Sequence, residues 1–83
     1  MRLTNPEAME LLETVFEVSP DTITEGLIEG FVVGIGVDQA TADIESYLSA
    51  KEGDVEPGSV EVHSDYWDEA DLSGVRIVIK LEG

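Results

Sequence analysis

Thr22-Ile23-Thr24-Glu25-Gly26-Leu27-Ile28-Glu29-Gly30-Phe31-Val32-Val33-Gly34-Ile35-Gly36-Val37 is the stretch that decides how this chain folds. Thr22 followed by Glu25 fits a capping box, the side-chain exchange that opens a helix. Ile23, Leu27, Ile28, Phe31, Val32 and Ile35 then recur with helical spacing and supply one apolar side. On that helix Gly26, Gly30 and Gly34 recur every fourth residue as one smooth stripe. Each glycine costs about 1 kcal/mol of helix propensity relative to alanine, so three in register point to close approach of another backbone. Internal packing is one occupant of such a stripe and a homo-oligomer contact is the other. A rival reading takes Phe31–Val37, rich in valine and glycine, as a buried strand. The spacing favours a helix over residues 22–35.

Upstream, Thr4-Asn5-Pro6-Glu7 is a helix start: an oxygen-bearing cap, a proline in the first turn, then an acid that suits the helix dipole. Ala8, Leu11, Leu12, Val15 and Phe16 share one face of a helix over residues 6–18, while Glu10, Glu13 and Glu17 line the opposite face. Ser19-Pro20-Asp21 ends it. Downstream, Gly36 serves as a helix C-cap and Asp38 as the next N-cap. Ala40, Ile44, Tyr47 and Leu48 form the buried side of a third helix over residues 38–51.

After a linker at residues 53–58, containing Pro57-Gly58, the hydrophobic period changes from 3.6 to 2. Val60, Val62, Ser64 and Tyr66 alternate with Glu61, His63, Asp65 and Trp67, and Val75, Ile77, Ile79 and Leu81 alternate with Arg76, Val78, Lys80 and Glu82. Two half-buried strands over residues 59–82, joined through Asp68–Gly74, form an antiparallel hairpin. A hairpin alone is not stable, so its apolar face must rest on the helices. The expected fold is a small single α+β domain: a helical part over residues 4–52, then the hairpin.

Three helices followed by a hairpin resemble the winged helix-turn-helix domains, and Gly36-Val37-Asp38-Gln39-Ala40-Thr41 is similar to their turn and early recognition helix. The resemblance implies nucleic-acid binding, but the charge opposes it. A DNA reader lines its recognition helix and wing with lysine and arginine to neutralise phosphates, whereas this chain places Asp43 and Glu45 on the one and four acids on the other. In size and acidity the chain also resembles the acyl carrier proteins. It has no Asp-Ser pair to carry their prosthetic group, and a terminal hairpin does not suit an all-helical carrier.

Nineteen acidic residues face four basic ones in 83, a formal net charge of −15. No positive side chain lies between Arg2 and Lys51, or between Lys51 and Arg76. Such a charge stores self-repulsion that ordinary solubility does not require. The 42% hydrophobic content is too high for a disordered acidic tail. With no cysteine there is no disulfide framework, thiolate metal site or cysteine nucleophile, which fits a reducing cytoplasmic compartment. No apolar run is long enough to span a bilayer.

Reaction centres are missing. His63-Ser64-Asp65 holds the residue types of a catalytic triad, but neighbours in a strand point to opposite faces and cannot relay a proton. Gly30-Phe31-Val32-Val33-Gly34-Ile35-Gly36 lacks the lysine of a phosphate loop. His63, Asp65, Asp68, Glu69 and Asp71 do not match a calcium loop, and cross-strand pairing of Glu61, His63 and Asp65 with Arg76 and Lys80 accounts for the charged strand residues without a metal. No enzyme activity and no cofactor is expected.

Charge is the functional lead. The expected function is that of an acidic interaction protein that binds a basic protein surface, an inhibitor mimicking nucleic-acid charge being one form, with no direct contact to nucleic acid or membrane. Its candidate contacts are Glu10, Glu13 and Glu17 on the helix and Asp65, Trp67, Asp68, Glu69 and Asp71 at the hairpin, with Trp67 as the apolar anchor because it falls on the polar phase of its strand. Tyr66, on the apolar phase, is expected in the core. Two alternatives stand beside it. One is a structural or assembly subunit, as in a virus, using Gly26, Gly30 and Gly34 and the hairpin edges. The other is a halophile-adapted regulator with a degenerate winged-helix fold.

Overall fold

The computed structural model describes residues 1–51, 55–56 and 58–82. Two helices and four strands follow one another as α1 (Asn5–Glu10), widening into a π-helical turn (Leu11–Val15), β1 (Thr22–Thr24), β2 (Leu27–Val33), α2 (Val37–Ser49), β3 (Val60–Trp67) and β4 (Leu72–Lys80). The strands form one antiparallel sheet in the order β1-β2-β4-β3.

This arrangement corrects the expected order of three helices and a hairpin. Residues 22–35 form no helix: β1 and β2 make a tight hairpin there, turning at Glu25-Gly26 with Thr24 opposite Leu27. Six β-branched residues, Thr22, Ile23, Thr24, Ile28, Val32 and Val33, crowd a helix but fit a pleated strand. Three glycines within that span, Gly26, Gly30 and Gly34, lower its helix propensity further. The winged-helix comparison falls with the helix. β4 is a central strand between β2 and β3, not one arm of a projecting wing.

The second hairpin forms, and the outer helices form within shorter bounds, the first ending at Val15 rather than residue 18 and the other at Ser49 rather than residue 51. Thr4 caps α1, its backbone N–H and its hydroxyl both donating to the Glu7 carboxylate at 3.0 and 2.9 Å. The helix closes unusually. Leu12 carbonyl accepts from Phe16 N–H at 3.3 Å and from Val18 N–H at 3.2 Å, with Glu17 between them in the left-handed region at φ 55°. α2 begins one residue earlier than expected, capped by Gly36, with Asp38 in its first turn. Of the expected linker at residues 53–58, residues 53, 54 and 57 lie outside the described residues.

Both helices cover one face of the sheet. Ile28 and Val32 of β2 and Val75, Ile77 and Ile79 of β4 point inward to meet Ala8, Leu11 and Leu12 from α1 and its wide turn and Ala40 and Ile44 from α2. Leu3 and Leu81, bridged in parallel, close one end of the core. Gly30 takes the inward position between Ile28 and Val32, and the Leu12 side chain fills its space. Ser59 is the buried polar residue of the described set, and its hydroxyl donates to Glu56 carbonyl at 2.8 Å. No described helix is long and apolar enough to cross a membrane.

Candidate functional site

The second face of the sheet is covered by no described helix, and its side chains follow from register. In β3 the outward phase carries Glu61, His63, Asp65 and Trp67; opposite them in β4 stand Val78, Arg76, Gly74 and Leu72. β2 adds Leu27, Glu29, Phe31 and Val33. Cross-strand charges pair as the sequence indicates. Arg76 Nε donates to Asp65 Oδ2 at 2.9 Å and Lys80 Nζ lies 2.6 Å from Glu61 Oε2, while within β3 His63 Nε2 lies 3.0 Å from Glu61 Oε1. Lys80 above all, then His63, holds the Glu61 carboxyl below its ordinary range.

Arg76 has a second acid that the sequence does not announce. Its Nη1 donates to both Asp21 oxygens at 3.1 and 3.0 Å, across 55 positions of chain. Its guanidinium also lies 5.7 Å from the Phe31 ring centre. These contacts form the floor of an open groove of about 470 Å³, walled by Phe31, Val33, Tyr66 and Trp67 with Ser19 at its rim. Val33, Tyr66 and Trp67 are each about half exposed, at 48%, 50% and 51%.

The structure divides the expected contact residues. Asp65, Trp67, Asp68, Glu69 and Asp71 gather around the tight turn Asp68–Ala70 beside the groove. Within that group Asp68 and Glu69 are exposed, whereas Asp65 accepts from Arg76 and from Tyr66 N–H. Asp71 accepts from the Tyr66 hydroxyl and takes the left-handed region at φ 53°. Tyr66 therefore departs from its expected place in the core and stands half exposed, lining the groove.

The helix stripe is also divided. Glu10 accepts from the Tyr47 hydroxyl and from Lys51 Nζ at 3.2 Å, and Lys51 lies 5.0 Å from the Tyr47 ring centre. These bonds, Tyr47 first, depress the Glu10 carboxyl; burial, then Glu10, raises the Tyr47 hydroxyl. Glu13 and Glu17 remain exposed. Gly26, Gly30 and Gly34 do not form a helical stripe: Gly30 is buried under Leu12, while Gly26 and Gly34 lie in turns at opposite ends of β2. The seam that motivated an oligomer contact is absent.

Sequence reasoning missed Phe31, Val33 and Asp21 as members of this surface. The alternation Phe31-Val32-Val33 was the available signal, since a buried Val32 in a strand turns both neighbours outward. Among the described residues no three His, Asp or Glu side chains converge as metal ligands. Compared with known proteins, the chain matches no family model, no curated protein and no solved structure.

Proposed function

We propose that this protein is a non-enzymatic binding protein whose uncovered sheet face, with the turn at Asp68 and Glu69, engages a basic surface of a protein partner. The observation that carries this reading is the internal commitment of every cationic side chain. Arg2 pairs with Glu56, Lys51 with Glu7 and Glu10, Arg76 with Asp21 and Asp65, and Lys80 with Glu61. The exposed carboxylates therefore present negative charge with no competing cation beside them. Trp67 adds a half-exposed aromatic next to those acids, which suits an arginine that can stack on the ring while meeting a carboxylate.

Roles divide by physics. Exposed carboxylates speed encounter by one to three orders of magnitude, chiefly at low salt, and select for basic partners. The aromatic wall buries apolar area and slows release. Proteins that bind nucleic acid are one class with such a basic surface. With Glu10 tied to Tyr47 and Lys51, the helix contributes little to imitating a phosphate row, so the sheet face carries the reading.

Capture of partners from lysate at low and high salt, followed by binding kinetics of the captured protein, tests it. Asp68→Lys with Glu69→Lys is expected to slow association, and Trp67→Ala to speed dissociation, with the fold intact in both. A partner that binds equally well after both changes overturns the proposal.

A further inference from the structure

We infer that the unpaired edge of β3 accepts an extended basic segment of the partner as a fifth strand, an inference that rests on the reading above and specifies its geometry. In the order β1-β2-β4-β3, one edge is the three-residue β1 and the other is the eight-residue β3, which contains no proline. Lys80 N–H donates to Ser59 carbonyl at 2.8 Å, which fixes the alternation of the antiparallel ladder. Glu61, His63 and Asp65 turn their backbone groups toward β4, so Val60, Val62 and Ser64 turn theirs away from the sheet. Tyr66 N–H also turns away, and it is capped by Asp65 Oδ1 at 2.9 Å. Among the described residues, the outward groups of Val60, Val62 and Ser64 meet no backbone partner.

The side chains along this edge specify what can be added. A strand laid beside β3 alternates between the two sheet faces. On the helix side its residues would meet a groove of about 250 Å³ between α2 and β3, whose apolar lining of Ile44, Leu48, Val60 and Val62 is flanked by Glu45 and Glu56. On the uncovered side they would meet Glu61, His63, Asp65 and Trp67. The complementary segment alternates apolar residues with lysine or arginine. Charge complementarity chooses this occupant over a second copy of the chain. Two copies bring net charges of −15 together, and a symmetric pairing centred on His63 sets Glu61 against Asp65. Glu61 and Asp65 are already paired with Lys80 and Arg76, so it is the chain's excess of 15 negative charges that disfavours a second copy at this edge and favours a basic strand.

The probe is a blocked eight-residue peptide alternating valine and lysine, compared with the same peptide N-methylated on alternate residues and with oligolysine of equal charge. Amide hydrogen exchange and amide chemical shifts of the intact protein provide the readout. Expected is slowed exchange at Val60, Val62 and Ser64, with binding of the N-methylated peptide weakened about tenfold or more, since its donors to the Val60, Val62 and Ser64 carbonyls are removed. Ser64→Pro should weaken binding similarly, because that N–H faces outward and β4 does not need it. Equal binding of both valine–lysine peptides, without protection on β3, overturns the edge inference and leaves basic-surface binding standing. Failure of all three peptides to bind overturns both. Protection of the β3 edge that rises with protein concentration, without peptide, assigns the edge to a second copy and overturns the inference.

Discussion

Leu12 rests on Gly30: its two δ carbons lie 3.1 and 3.2 Å from the point a Cβ on residue 30 would occupy. This contact seats the wide turn after α1 onto the middle of the sheet, and it explains a glycine inside a strand where the backbone gains nothing from one. Gly74 shows a harder version of the same constraint. A Cβ there would overlap the carbonyl oxygen of Val32 and come within 2.9 Å of its carbon, and a backbone group cannot move aside as a side chain can.

Alanine at the two positions should therefore behave differently. Gly30→Ala asks the buried Leu12 to shift by a few tenths of an ångström and should destabilise by about 1–3 kcal/mol, the usual range for overpacking. Gly74→Ala should cost more and disturb the β2–β4 pairing at Val32 and Val33. Urea midpoints at constant slope measure both. Equal costs would show that β2 and β4 separate easily at that end.

Glu17 closes the first helix in a conformation that costs an ordinary L-residue about 1–2 kcal/mol. It also places negative charge where the helix dipole is negative. Glu17→Gly should raise stability by about 1 kcal/mol, measured as a shift of the urea midpoint. A loss would mean that the Glu17 side chain stabilises the turn more than its backbone opposes it.

The Glu10–Tyr47–Lys51 cluster should give stability a distinct pH dependence. The Tyr47 and Lys51 bonds lower the Glu10 carboxyl from its ordinary 4.5, so its contribution is present above that pH and is lost as pH falls through the lower folded value. Tyr47 and Lys51 are raised from 10.0 and 10.5, so their contributions are present below pH 10 and are lost as pH rises through the folded values. Glu10→Gln should flatten the acid limb relative to the parent protein in thermal melts from pH 5 downward. Unchanged limbs would show that the cluster opens in solution.

Salt should stabilise the fold. Raising salt from about 0.05 to 1 M shortens the screening length from over 10 Å to about 3 Å. The exposed ion pairs that screening weakens are each worth only about 0–1 kcal/mol, whereas repulsion sums over the whole excess of 15 negative charges. Melting temperature should rise across that range. A flat response would mean the carboxylates are already too far apart to repel.

How far the sequence revealed this fold depends on which residues stood at the inward positions. α1, α2 and β4 were legible because each carries an unbroken period of apolar residues, and β3 because Val60, Val62 and Tyr66 keep the alternation across Ser64. β2 was not, because Gly30 occupies the inward place between Ile28 and Val32, and the volume that would mark the strand belongs to Leu12 from another element. With the inward phase interrupted and Leu27, Phe31 and Val33 apolar on the outward phase, the alternation disappears. A four-residue glycine period remains, and it imitates a helix. The same misreading hid Phe31 and Val33 from the candidate surface. Trp67, Asp68 and Glu69 were legible, since strand phase and turn position alone expose them.

Trp67, the one tryptophan in the chain, stands in the proposed contact surface, so its fluorescence reports the central claim directly. Titration of the intact protein with an arginine-rich peptide at about 0.05 M salt should shift its emission saturably. The apparent affinity should fall as salt rises and drop sharply in the Asp68→Lys, Glu69→Lys protein. An emission unchanged by the peptide, or a binding curve that neither salt nor charge reversal alters, would contradict the account.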